Sequence, residues 1–205
     1  MYSRKTGLIL GFHGCDKSIV ENILTGKEKL KGSKNNYDWL GNGIYFWEHS
    51  PSRALEYATS IKNNPSRSKT KIKDPAIIGA VIDLGYCLDL LDFQNLTLLK
   101  TAYDILVQTF KKSGIKIPQN RPPKHSTDLL IRELDCAVIE TLHKVQAEKN
   151  IYPFDSIRGV FWEGEELYSG AGFREKDHIQ ICIRNPNCIK GFFFPRKIDN
   201  NYSNV

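Results

Sequence analysis

The chain has 205 residues, of which 40% are hydrophobic and 25% charged, and it carries a net charge of +6. That length suits one well-cored domain and is short for two. No stretch approaches the roughly 18 apolar residues of a membrane span, which argues against a membrane protein.

Five cysteines, Cys15, Cys87, Cys136, Cys182 and Cys188, are odd in number, scattered and free of CxxC spacing. A disulfide framework or a zinc site is therefore not expected; buried thiols in a reducing cytosol are. His178 and Cys182, four apart on one expected strand, make poor partners for a metal. The opening residues read as a core strand and not as a signal peptide, because the apolar run is short and charge follows at once. Together these features point to a cytoplasmic protein.

In chain order, Leu8–Phe12 is a short buried strand. Asp16 caps a helix that Gly26 ends. Residues 31–42 are a polar loop, and Gly43–Trp47 is an apolar, aromatic strand. Ser50 and Pro51 open a helix that runs to about Lys62. Residues 63–73 are polar, basic and rich in turn formers. Ala76–Leu84 is a strong strand signal, and Cys87–Leu91 a second extended piece. A helix over Leu96–Lys112 ends at Gly114. A proline-broken connector, 115–125, leads to a helix capped by Ser126 or Thr127 and running to about Lys149. Strands at Ile157–Trp162, His178–Ile183 and Ile189–Phe194 follow, with a Gly-rich loop at Ser169–Phe173 between the first two; the tail from Lys197 frays. Strands at both ends with helices between them predict one α+β domain over 1–205.

Charge is uneven. The whole excess lies within the first 75 residues, and Lys62, Arg67, Lys69, Lys71 and Lys73 follow one another with no acid between Glu56 and Asp74. Such a stretch can track a phosphate backbone, or simply be a solvated loop.

The chemistry rests on a combination of residues. His13-Gly14 follows a buried strand, where a ring nitrogen and bare main chain can meet a ligand. Gly41-Asn42-Gly43-Ile44-Tyr45-Phe46-Trp47 sets two glycines before three aromatics, and one face of a strand cannot bury all three. Tyr57 follows on the next helix. Taken singly, each of these is equally a packing residue.

Taken together, Gly11-Phe12-His13-Gly14-Cys15, Leu40-Gly-Asn-Gly-Ile-Tyr-Phe46 and Ala54-Leu-Glu-Tyr57 resemble the active-site signature of the diphtheria-toxin-like and poly(ADP-ribose)-polymerase-like ADP-ribosyltransferases. The match covers residues 8–60 clearly and the C-terminal strands more loosely. The resemblance implies split antiparallel β-sheets with flanking helices, and makes residues 95–150 a helical insertion.

It also implies NAD as co-substrate and no metal. His13 would bond the ribose hydroxyls and the Gly14 main chain the nicotinamide carboxamide. Tyr45 and Tyr57 would stack on the nicotinamide, with Phe46 and Arg53 completing the binding set; Arg53 and Arg174 are candidates for the pyrophosphate. The bond to be cleaved develops oxocarbenium character, so positioning and charge stabilisation are what the protein must supply.

The third member of that signature is a glutamate on a late strand. Here Gln180 takes its place, sharing a strand face with His178 and Cys182. A glutamine bonds a ribose hydroxyl but is no general base, which disfavours polymer elongation. Glu163, Glu165 and Glu166 precede that strand, and Glu165 is the candidate base for an acceptor.

The implied activity is mono-ADP-ribosyl transfer to a macromolecule, with RNA or DNA slightly favoured over protein by the basic first third. Such a chain resembles an intracellular toxin or defence effector with a neutralising antitoxin or inhibitor protein. The alternatives are an NAD glycohydrolase and a catalytically inactive module that binds NAD or ADP-ribose.

Overall fold

The structure is a computed structural model that describes residues 7–67, 70–124 and 127–202. Its strands are β1 (Ile9–Asp16), β2 (Ile44–Glu48), β3 (Pro75–Ile82), β4 (Cys87–Asp89), β5 (Asn120–Arg121), β6 (Ile131–Arg132), β7 (Ser156–Phe161), β8 (His178–Ile183) and β9 (Ile189–Phe193). Its α-helices are α1 (Lys17–Leu24), α2 (Pro51–Asn63), α3 (Phe93–Lys112) and α4 (Glu133–Glu148). The α+β class follows from this element order. Seven strands form one sheet in the order β4-β7-β8-β2-β1-β3-β9, while β5 and β6 pair apart.

The sheet differs from two split antiparallel halves. It is continuous, and its edge pair β4·β7 is parallel. Its weak seam is the β1·β2 ladder, which holds only Gly11↔Glu48 and Phe12↔Trp47, whereas β1 pairs with β3 from Ile9 to Asp16. Strand β1 is thus longer than the apolar run Leu8–Phe12: β3 offers it main-chain partners through the polar end.

The period-two alternation of the strands sorts residues onto two faces. On one face Ile44 and Phe46 of β2 join Ile181 and Ile183 of β8, with Ala80 and Ile82 of β3. On the other, Tyr45 packs with Cys182, Leu40 and residues of α3 and α4. Further along that second face, Phe12, Trp47 and Ala54 of α2 form a separate cluster. Helices α3 and α4 belong to the core. Leu106, Val138, Ile139 and Leu142 supply the core that covers Leu88, Ile157 and Phe161.

Helix ends explain the other departures. Asp16 caps α1 as read, accepting the Ser18 N–H at 3.0 Å, and its other oxygen accepts the Lys73 and Asp74 N–H groups, tying the end of the basic segment to β1. Helix α3 begins at Phe93, ahead of Leu96, because Asp92 caps it. Ser50 makes no side-chain cap, so Pro51 alone marks the start of α2. Helix α4 begins only at Glu133. Its first amides, Leu134 N–H and Asp135 N–H, are met by the Asn120 side chain from β5, at 3.0 and 3.2 Å. That cap is remote in sequence, so Thr127 does not open the helix, and Ser126 lies outside the described residues. All five cysteines are free and buried. No described helix is long and apolar enough to cross a membrane.

Candidate functional site

The strand order β8-β2-β1 sets side by side the strands that bear Gln180, Tyr45 and His13. The site centres on the fork where β1 and β2 part. The His49 N–H donates to the Leu10 carbonyl at 3.0 Å, so by alternation the main chains of Phe12 and Gly14 also face β2. After Phe12↔Trp47 the next ladder step would join Gly14 to Tyr45. Instead the His13 ring enters the gap, with Nδ1 2.8 Å from the Tyr45 carbonyl. A side-chain N–H thus replaces a main-chain N–H, and the two strands stay apart beyond it.

That bond sets the chemistry of His13. Burial lowers its pKa below the ordinary 6.5, against the smaller upward pull of the Tyr45 carbonyl. The ring is therefore neutral near pH 7. With Nδ1–H given to a carbonyl, Nε2 carries the lone pair and accepts. Phe46, fully buried, meets the His13 ring edge-on at 6.0 Å and fixes its plane. Phe46 is thus a support for His13 from within the core and no wall of a cleft.

The expected pair of stacking tyrosines does not form. Tyr45 donates its hydroxyl to the Gly41 carbonyl at 2.7 Å and accepts the Leu40 N–H at 2.8 Å. Burial holds its pKa well above 10.0. Tyr45 is an anchor for the 40–41 turn, and its main-chain carbonyl is what serves the fork. Tyr57 instead lies on Trp47, ring centres 5.0 Å apart, and stays 37% exposed. Gly14 is required by packing: a Cβ there would fall 2.1 Å from the Ala54 carbonyl of α2. The α2-facing side of Gly14 is therefore closed.

Gln180 is half-buried opposite Trp47, on the same face as Tyr45. Arg53 is engaged. It bonds Glu163 at 2.6 Å and Glu56, and its guanidinium lies 5.6 Å from the Trp47 ring centre. Two carboxylates already satisfy its charge, which argues against a pyrophosphate there. Arg174 is held by Asp128 at 3.5 Å and the Gly164 carbonyl. Among the acids, Glu165 is exposed on the loop, and so is Glu166, which accepts the Gly170 N–H at 3.0 Å. Glu163 is the buried one, and it reaches the site through Arg53. The carboxylate brought to the site is thus Glu163 and not Glu165.

Sequence reasoning missed a group of rings beside the fork. His178 is buried between Trp39, Trp47 and Phe161, at centre distances of 6.1, 6.3 and 5.8 Å. Arg132 caps this group, 4.5 Å from the Trp39 ring centre. His178 Nδ1 donates to the Lys176 carbonyl at 2.6 Å, and burial lowers its pKa. The only sequence signal was that His178 shares a face with Gln180. Nothing local tied either residue to Trp39 or Arg132, because those contacts close over long loops.

No family model matches the chain. It is 25% identical over 195 residues to an uncharacterized protein of Methanocaldococcus jannaschii, covering 87% of this chain and 83% of that one. A crystal structure of an anti-CRISPR protein aligns with 87% of this chain and 91% of its own, at 12% identity and a TM-score of 0.34. The functional reading accordingly rests on the residues of this chain. Among those described, no group of three His, Cys, Asp or Glu side chains is placed to hold a metal ion.

Proposed function

We propose that the fork between β1 and β2 binds the nicotinamide–ribose end of NAD and that the protein is a mono-ADP-ribosyltransferase. The observation that carries the reading is the His13 ring inserted at the point where the β1·β2 ladder ends, bonded to the main chain of the Tyr45 strand. A neutral imidazole with Nε2 as acceptor suits a ribose hydroxyl. The Gly14 main chain beside it offers a donor and an acceptor directed toward β2. Tyr57, 37% exposed, is the ring that would stack on nicotinamide.

Gln180 lies one strand over and adds a neutral hydrogen-bonding group for a second ribose hydroxyl. It brings no negative charge, so a single transfer fits this site better than chain elongation. Glu163, neutralised by Arg53, is poorly suited to act as a free base while that pair stands. The acceptor must then arrive as a competent nucleophile, or draw Glu163 away from Arg53. The basic segment about Lys62, Lys71 and Lys73 favours a nucleic-acid acceptor by charge. A toxin or defence role, with a neutralising protein, accords with that activity.

The test uses NAD labelled on the adenylate side, incubated with purified protein and separate pools of RNA, DNA and protein. Label retained on one pool by the wild type, and lost with His13→Ala, is the expected result. Free labelled ADP-ribose with no labelled pool would reassign the protein as a glycohydrolase. Intact NAD throughout would reject both.

A further inference from the structure

Buried polar atoms in folded proteins nearly always have partners. Among the described residues, five buried side-chain atoms have none, and three of them stand together: Trp47 Nε1, Arg53 Nε and His178 Nε2. The Arg53 guanidinium carbon lies 5.6 Å from the centre of the Trp47 ring, and the His178 ring centre 6.3 Å from it. The three side chains come from α2, β2 and β8, with Arg53 and His178 both neighbours of the Trp47 ring. Trp47 is 4% exposed and His178 7%. Leaving such atoms bare costs free energy, and no other contact of these side chains accounts for it.

Their roles are set. Trp47 Nε1–H and Arg53 Nε–H can only donate. His178 has given its Nδ1–H to the Lys176 carbonyl, so Nε2 can only accept while the ring is neutral. Two donors and one acceptor on neighbouring side chains are the complement of a primary carboxamide. Its oxygen takes two hydrogen bonds and its NH2 gives one. Tyr57, its ring 5.0 Å from that of Trp47 and 37% exposed, lies on the outer side of this group.

We propose that Trp47 Nε1, Arg53 Nε and His178 Nε2 form the carboxamide-binding subsite, so that a nicotinamide stacked on Tyr57 is read by these side chains. The subsite rests on the NAD reading above. It moves the carboxamide away from the Gly14 main chain, which α2 closes on the Tyr57 side through the Ala54 carbonyl. Gly14 is then left to the ribose side of the fork. The subsite also explains why Arg53, spent on Glu56 and Glu163 through its terminal nitrogens, keeps Nε undirected toward either.

Calorimetric titration of NAD, free nicotinamide and ADP-ribose into the wild type, Trp47→Phe and His178→Phe tests this. Both variants keep an aromatic ring, and thermal melting checks that each folds. The expected result is about tenfold weaker NAD and nicotinamide binding in each folded variant, with ADP-ribose unchanged within about twofold. NAD and ADP-ribose weakening together, or neither changing, overturns the subsite while leaving the NAD reading in place; an internal water is then the occupant. A wild type that binds neither NAD nor ADP-ribose removes the NAD reading and the subsite with it.

Discussion

Tyr45 separates what a residue type suggests from what its surroundings make it do. Its place in a Gly-Ile-Tyr-Phe run invites a stacking role, yet its hydroxyl bridges the Leu40 N–H and the Gly41 carbonyl. Leu40 is 1% exposed, so removing the hydroxyl strands a buried donor. Tyr45→Phe is expected to destabilise the fold by about 1–3 kcal/mol in urea denaturation. An unchanged midpoint would return Tyr45 to the list of ligand-facing rings.

The histidines carry a pH prediction at the same scale. His13, His143 and His178 all have pKa values lowered by burial from 6.5. Their folded values lie below the unfolded one, so the unfolded chain binds protons first as pH falls. Their contribution is complete above about pH 6.5 and is lost progressively below it. The melting temperature should fall from pH 7 to pH 5, and His178→Phe should shallow that slope. A flat or rising profile over this range contradicts the assignment of neutral buried rings.

At the scale of elements, the fit of α2 against β1 decides the shape of the site. Gly14 lets the helix approach until the Ala54 carbonyl lies where a Cβ would be. Gly14→Ala must push α2 outward, carrying Arg53 and Tyr57 with it. Chemical denaturation should show a loss of about 1–3 kcal/mol, and any NAD binding should weaken with it. Wild-type stability in Gly14→Ala would mean that α2 does not seat as described.

Legibility also varies by element. The strands of the main sheet and α1, α2 and α3 follow from periodicity and from local caps such as Asp16, because those signals lie within a turn of what they control. The start of α4 does not, because Asn120 supplies its cap from another strand. Sequence reasoning also missed the Asp92 cap that starts α3 at Phe93 and the short pair β5·β6. His13 and Gly14 were legible as a pair. Their wedge in the β1·β2 ladder was not, since it depends on a strand 32 residues away. Trp47 and His178 as a joint polar site were invisible for the same reason: the sequence shows a ring, and only the fold shows that its nitrogen lacks a partner.

For the whole molecule, the two clusters on one face of the sheet divide the labour. Helices α3 and α4 cover the β4·β7·β8 side and form the larger core, while α2 covers β1. Gln180, half-buried on the central strand β8, pairs with Trp47 of β2. The fork at His13 lies where the β1·β2 ladder ends. The most direct measurement is release of nicotinamide from NAD by the purified protein, quantified by chromatography, in wild type and His13→Ala. The account predicts release by the wild type and none above background by the folded variant. Equal release by both, or NAD left intact by both, would contradict it.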